Sequence, residues 1–216
     1  MATSSAHPAP DLSELSDRYG ALPDGGGRAV GEQLLARWSE PHRRYHTVDH
    51  LRFTLARLDE LAEHADEANA AADPVAVELA AWFHDAVYDP HAADNEERSA
   101  ELAETLLPDS PRRPAVARLV RLTAGHRPAE GDADGAVLCD ADLAVLAGSP
   151  GEYASYAAAV RVEYGHVPAA AFAAGRAEVL RQLLARPALF HTSYGAERWA
   201  ATARFNLRGE LSLLTG

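Results

Sequence analysis

The chain has 216 residues, 47% of them apolar, and a net charge of −12 at pH 7. That length and apolar share fit a single globular domain with a sizeable core and argue against disorder. The acidic balance and the absence of a basic run argue against extended nucleic acid as a partner. Its basic residues are all Arg. Cys139 is the single cysteine, which rules out an intrachain disulfide and a cysteine-built zinc site. No run approaches the roughly 20 apolar residues of a membrane span. The start, MATSSAHPAPD, lacks a basic n-region and an apolar h-region, so 1–10 is expected to be a tail rather than a secretory signal, and the protein cytoplasmic.

Apolar residues at helical spacing predict an all-α chain over 11–216, with no alternating strand pattern and no repeat. The first predicted helix, 28–39, carries Val30, Leu34, Leu35 and Trp38. The second, 46–62, carries Val48, Leu51, Leu55, Leu58 and Leu61 on one side. His46, His50, Phe53 and Arg57 would then fall on another face. Asp73-Pro74 reads as a cap and a first-turn proline opening 74–85. On that helix Val77, Ala80, Ala81 and His84 share a face, and the small residues would let a second helix come close. Asp94 reads as the cap of 95–107, which stops before Pro108. The stripe Val116, Leu119, Val120 and Leu122 marks 114–124, ending at Gly125. Helices over 137–147, 150–163, 168–185 and 196–214 complete the set, with Pro or Gly at most junctions.

His84-Asp85 ends the apolar helix 74–85 in the segment AAWFHDAVYDP. The pair puts an imidazole nitrogen and an anionic oxygen at one point of the chain, half of a divalent-metal site. A histidine-rich segment, RRYHTVDH, lies upstream, and a segment with two aspartates, CDADL, lies downstream. Asp140 and Asp142 are two residues apart, so a helix points them about 200° apart, and only one can face a given ion.

Histidine, then His-Asp, then Asp in this order resembles the HD superfamily of metal-dependent phosphohydrolases. The finer pattern is similar to one bacterial branch of it: RxYHTxxH at 43–50, WFHDxVYDP at 82–90, NExxSA at 95–100, LTxxH at 122–126 and DADLxxLxG at 140–148. The resemblance covers roughly residues 40–150. It implies an HD-type helical bundle holding one or two divalent ions of Mn, Fe, Co, Ni or Zn. His46, His84, Asp85 and Asp142 are the implied ligands. His50 is an extra ligand, a partner of a ligand, or a buried structural histidine. His126 is either a second-site ligand or a helix-terminal histidine. Asp142 is favoured over Asp140, which would hold a ligand histidine or cap a helix.

The implied reaction is hydrolysis of a small phosphoester, nucleotides among them, by metal-activated water. Asp85, Glu96 and Asp89 are the expected catalytic carboxylates, although Asp89 and Glu96 also fit a capped loop and a helix start. Arg43, Arg44 and Arg127 are the expected phosphate contacts, because a guanidinium fork binds phosphate bidentately; each is equally readable as a surface residue. Two rivals stay open: a di-iron oxygenase of the same superfamily, and a non-catalytic metal- or nucleotide-binding regulatory module. Tyr153, Tyr156 and Tyr164 read as core. The region after 150 reads as either a wall of the pocket or a homo-oligomer contact.

Overall fold

A computed structural model describes residues 12–65 and 70–216, and among these every regular element is helical. The tail expected over 1–10 lies outside them. The helices are α1 (Ser13–Gly20), α2 (Arg28–Trp38), α3 (Val48–Glu63), α4 (Pro74–Phe83), α5 (Asn95–Leu106), α6 (Arg113–Thr123), α7 (Ala133–Leu143), α8 (Pro150–Glu163), α9 (Ala169–Ala185), α10 (Ser193–Arg198) and α11 (Ala200–Thr215). A 3₁₀ turn, Ala144–Ala147, extends α7. No described helix is long and apolar enough to cross a membrane.

The centre of the fold is α4. Val77, Leu79, Ala80, Ala81, Trp82 and Phe83 are all buried, so this helix is apolar around most of its circumference, with Glu78 paired to Arg18 at the remaining edge. It packs against α3, α5, α6 and α7. Asp73 caps it by accepting the Ala76 N–H at 3.1 Å, and Pro74 takes the first turn, where a missing N–H costs nothing. The other end of α4 exposes carbonyls that no later helical residue can satisfy. Side chains take them instead: Trp38 Nε1 donates to the Trp82 carbonyl at 3.0 Å, and His84 Nδ1 to that of Ala81 at 2.8 Å. His84 is thus fixed by the same bond that finishes its helix.

Several boundaries differ from expectation. Helix α3 begins at Val48, not at His46, because Thr47 is extended (φ −110°, ψ 179°) and its side chain accepts the Asp49 N–H. His46 therefore lies in the turn before the helix and does not share a helical face with His50. Helix α7 starts four residues before the expected 137, because Asp132 caps it through the Gly135 N–H at 3.0 Å. The span 196–214 is two helices broken at Trp199, and α1 carries no expectation at all. Ser149 and Glu152 form a reciprocal capping box that sets the start of α8 at the expected Pro150.

Candidate metal centre

Four segments converge beside the end of α4: the turn 43–47, the first turn of α3, the His84-Asp85 corner and α7. His50, His84 and Asp85 each offer one ligand atom, and the three atoms lie within 4.8 Å of one another. Nε2 of His84 lies 3.3 Å from Nε2 of His50 and 3.2 Å from Asp85 Oδ2. Asp142 flanks this group, its Oδ1 3.0 Å from His50 Nε2 and 3.6 Å from His84 Nε2. Ligand atoms about 2.0–2.1 Å from a tetrahedral ion sit about 3.3 Å apart, so these separations suit a first-row divalent cation.

The donor chemistry fits as well. His84 Nδ1 donates to a backbone carbonyl, His50 Nδ1 meets the Tyr45 hydroxyl at 3.1 Å, and His46 Nδ1 meets Glu163 Oε2 at 2.7 Å. With each Nδ1 engaged on its outer side, the Nε2 atoms are left to face one cavity. Such outer bonds orient imidazole ligands and fix their tautomer. The site holds nitrogen and carboxylate oxygen and no sulfur, the donor set of Mn, Fe, Co, Ni and Zn.

The buried charges explain one another. Burial works to raise the Asp85 pKa, but the charges of His84 and His46 outweigh it and hold the carboxyl below its ordinary range. Asp142 is held well below its range in the same way, against burial, by His84, His126 and His50. Burial pulls the His84 pKa down, yet Asp85 and Asp142 lift it well above the usual histidine value. His50 goes the other way: burial lowers it more than Asp142 restores. Two buried carboxylates thus draw positive charge to one point, whether a proton or an ion.

The cluster lines a cavity of about 160 Å³, together with Tyr45, His46, Glu96, Thr123, His126 and Tyr156. His46 stands one step outside the cluster, its Nε2 4.0 Å from Asp85 Oδ2. His126 Nε2 donates to Asp142 Oδ2 at 2.6 Å, and its backbone is left-handed, φ 48°. Arg186 steadies that turn by donating to the carbonyls of His126 and Gly125 at 3.0 and 2.9 Å.

Other expected site residues lie elsewhere. Asp140 points away from the cavity and accepts the N–H groups of His191 and Thr192 and the Thr192 hydroxyl. Burial pushes its pKa up to about 6 against those bonds. Gly195 permits this seat, since a Cβ there would lie 2.6 Å from Asp140 Oδ2. Asp89 does not line the cavity. Its Oδ1 accepts the His91 N–H at 2.9 Å and its carbonyl accepts from Asn95, so it closes the loop before α5. Glu96 does line the cavity.

The three arginines depart most from the phosphate-binding expectation. Arg43 is buried, and its guanidinium donates to the carbonyls of His46 (2.9 Å), Asp85 (2.8 Å) and Ala86 (3.2 Å). It ties the His46 turn to the His84-Asp85 corner and offers no open edge to a ligand. Arg44 is exposed and donates to the carbonyls of Pro41 and Arg43. Arg127 is exposed beside His126, and neither it nor Arg44 lines the cavity.

Glu163 is the residue that sequence reasoning missed. Its side chain is wholly buried. Oε1 accepts the N–H groups of Arg44, Tyr45 and His46 at 2.8, 2.8 and 3.0 Å, while Oε2 takes His46 Nδ1 and the Tyr88 hydroxyl at 2.9 Å. Burial opposes its charge, but the His46 bond and these backbone donors hold its pKa at about 2. It is the last residue of α8, where a carboxylate opposes the helix dipole. That misplacement is the one local sign of a tertiary role. Tyr156 makes α8 a wall of the cavity, the first of the two uses left open for the C-terminal region.

No protein-family model, curated protein or solved structure matches this chain. What stands is an all-α protein with a buried His/His/Asp cluster able to chelate a metal ion.

Proposed function

We propose that the chain is a metal-dependent hydrolase of a small phosphoester, of the HD superfamily type. One observation carries the reading: His50, His84, Asp85 and Asp142, from three separate parts of the chain, aim their ligand atoms at one point in a cavity. The motif order described above supports it. These four residues would hold the ion, with His50 in the place first expected of His46. A divalent ion there would polarise a phosphoryl oxygen and acidify bound water.

The remaining residues have roles of their own. Burial disfavours charge on His46, but Asp85 and the Glu163 bond raise its pKa above the ordinary value. Its Nδ1–H is committed to Glu163, so in the charged form its Nε2–H points into the cavity as a donor for a phosphoryl oxygen. His46 therefore supplies the anion contact expected of the arginines. Glu96, the lining carboxylate outside the cluster, is placed to carry a proton to or from the leaving oxygen. Asp142 turns Oδ1 to His50 and Oδ2 to His126, so His126 and Asp142 would be the residues to hold a second ion.

Elemental mass spectrometry on protein purified without chelator, with His84→Ala beside it, tests the site. One or two equivalents of a transition metal, lost in the variant, together with turnover of small phosphoesters, would support the reading. Metal without turnover, but with oxygen consumption and strict iron dependence, would move it to the oxygenase. No metal in either protein, even after reconstitution, would sink it.

A further inference from the structure

A second cavity adjoins the His/Asp cluster's cavity across shared wall residues. It has a volume of about 440 Å³, within the size range of small-molecule sites, and it shares Tyr45, His46 and Tyr156 with the smaller one. It lies between α8, which contributes Tyr156 and Val160, and α9, which contributes Phe172, Gly175 and Val179. The two helices stand apart here because α9 packs instead on α11.

The lining is apolar and aromatic. Tyr45 and Tyr156 meet edge to face at 4.7 Å, and Tyr164 and Phe172 stand 6.2 Å apart farther along. Tyr156 packs against the core as expected and also walls the cleft, whereas Tyr164, likewise expected in the core, is a half-buried cleft wall. The cleft also contains a guanidinium, that of Arg176, but its charge is spent: Nε and Nη2 bond Glu210 at 2.8 and 3.0 Å, and the group lies over the Tyr156 ring. Beyond His46 at the junction, such walls give an incoming charge no counter-charge and penalise its loss of water. They reward a flat uncharged ring, which aromatic edges and faces contact well.

Resting on the phosphohydrolase reading, we propose that this cleft binds the ester's organic group. The substrate is then a phosphoester whose leaving group carries an uncharged ring, seated between α8 and α9 while its phosphate reaches the His50/His84/Asp85 cluster. His46 stands at the junction of the two cavities, beside the ester oxygen.

Gly175 makes the test clean. It lies within α9, and a Cβ built there meets nothing within 4 Å. Gly175→Leu therefore fills the cleft from a helix that gains propensity, and Ala174→Leu, at an exposed position of the same helix that does not line the cleft, serves as the control. Phenylphosphonate and methylphosphonate, which hydrolysis cannot consume, are titrated calorimetrically into manganese-loaded wild type and both variants, with metal content measured in each. The expected result is a preference of about tenfold for phenylphosphonate in wild type, the scale set by burying one ring. Gly175→Leu should bring the ratio near one, with metal content and methylphosphonate affinity unchanged. Equal affinities in wild type, no binding of either phosphonate, or an undiminished preference in Gly175→Leu would overturn the cleft assignment. The hydrolase reading fails separately: a phenylphosphonate preference without turnover of phenyl phosphate sinks that reading and leaves the cleft standing.

Discussion

Glu163 accepts a 2.7 Å hydrogen bond from His46 Nδ1 across 117 residues of chain, joining the end of α8 to the turn that precedes α3. The same carboxylate collects three backbone N–H groups of that turn, so it shapes the turn and aims the imidazole together. Glu163→Gln keeps the volume but puts an NH₂ group where one oxygen accepted. At least one buried donor is then unpaired, at a cost of about 1–3 kcal/mol. A urea midpoint shift of that size is expected, with the helical signal retained. A midpoint equal to wild type would mean that the turn holds itself.

The two histidines of the YHTxxH segment should differ in their hold on metal. His50 Nε2 lies among the ligand atoms of His84, Asp85 and Asp142, whereas His46 Nε2 stands 4.0 Å from the nearest oxygen of Asp85. His50→Ala, His84→Ala and Asp85→Ala are each expected to abolish tight metal loading while circular dichroism stays helical. His46→Ala should keep at least one equivalent, with affinity reduced at most about 10–100-fold as for a residue that supports a ligand. Complete metal loss in His46→Ala beside retention in His50→Ala would reverse the two roles.

What the sequence made legible follows from range. The helices over 28–39, 74–85 and 150–163 were readable because their apolar spacing and caps are local: Asp73 with Pro74, and Ser149 with Glu152, act within one turn. The divergence of Asp140 and Asp142 was also readable, since helix geometry alone forces it, and the two do face opposite ways. The position of His50 Nε2 closer than His46 Nε2 to Asp85 was not, because it depends on Thr47 starting the helix one residue after His46. Arg43 and Glu163 were hidden for a further reason. Three partners of each are backbone groups, which leave no residue-type signature in the sequence.

Arg43 is expected to tolerate no conservative replacement. Its guanidinium reaches three carbonyls from two segments while stacking near Trp38 and Tyr88 at 5.4 and 5.5 Å. An ammonium cannot span that fork, so Arg43→Lys leaves buried carbonyls unpaired. A loss of about 2–3 kcal/mol is expected from denaturant unfolding. Metal affinity should fall with it, because the His46 turn and the Asp85 corner lose their common tie. Wild-type stability in Arg43→Lys would mean that water or the remaining packing satisfies those carbonyls.

The cap of α4 predicts a pH dependence whose sign can be worked out. Burial, the largest single influence, raises the Asp73 pKa, but the Arg112 hydrogen bond, the Ala76 N–H and the Arg112 charge together lower it below the ordinary 3.8. A carboxyl with a depressed folded pKa binds its proton more readily in the unfolded chain. Its stabilisation is therefore present above about pH 3.8, the unfolded value, and is lost as pH falls through the lower folded one. Asp73→Ala should cost about 1 kcal/mol at pH 7, the usual worth of an N-cap. The gap between wild type and variant in urea midpoints should be constant from pH 7 to about pH 5 and narrow towards pH 2–3. A gap that stays the same down to pH 2 would mean that the cap acts through its neutral hydrogen bond alone, and that Arg112, 2.8 Å from Asp73 Oδ2, contributes nothing to holding α4 in place.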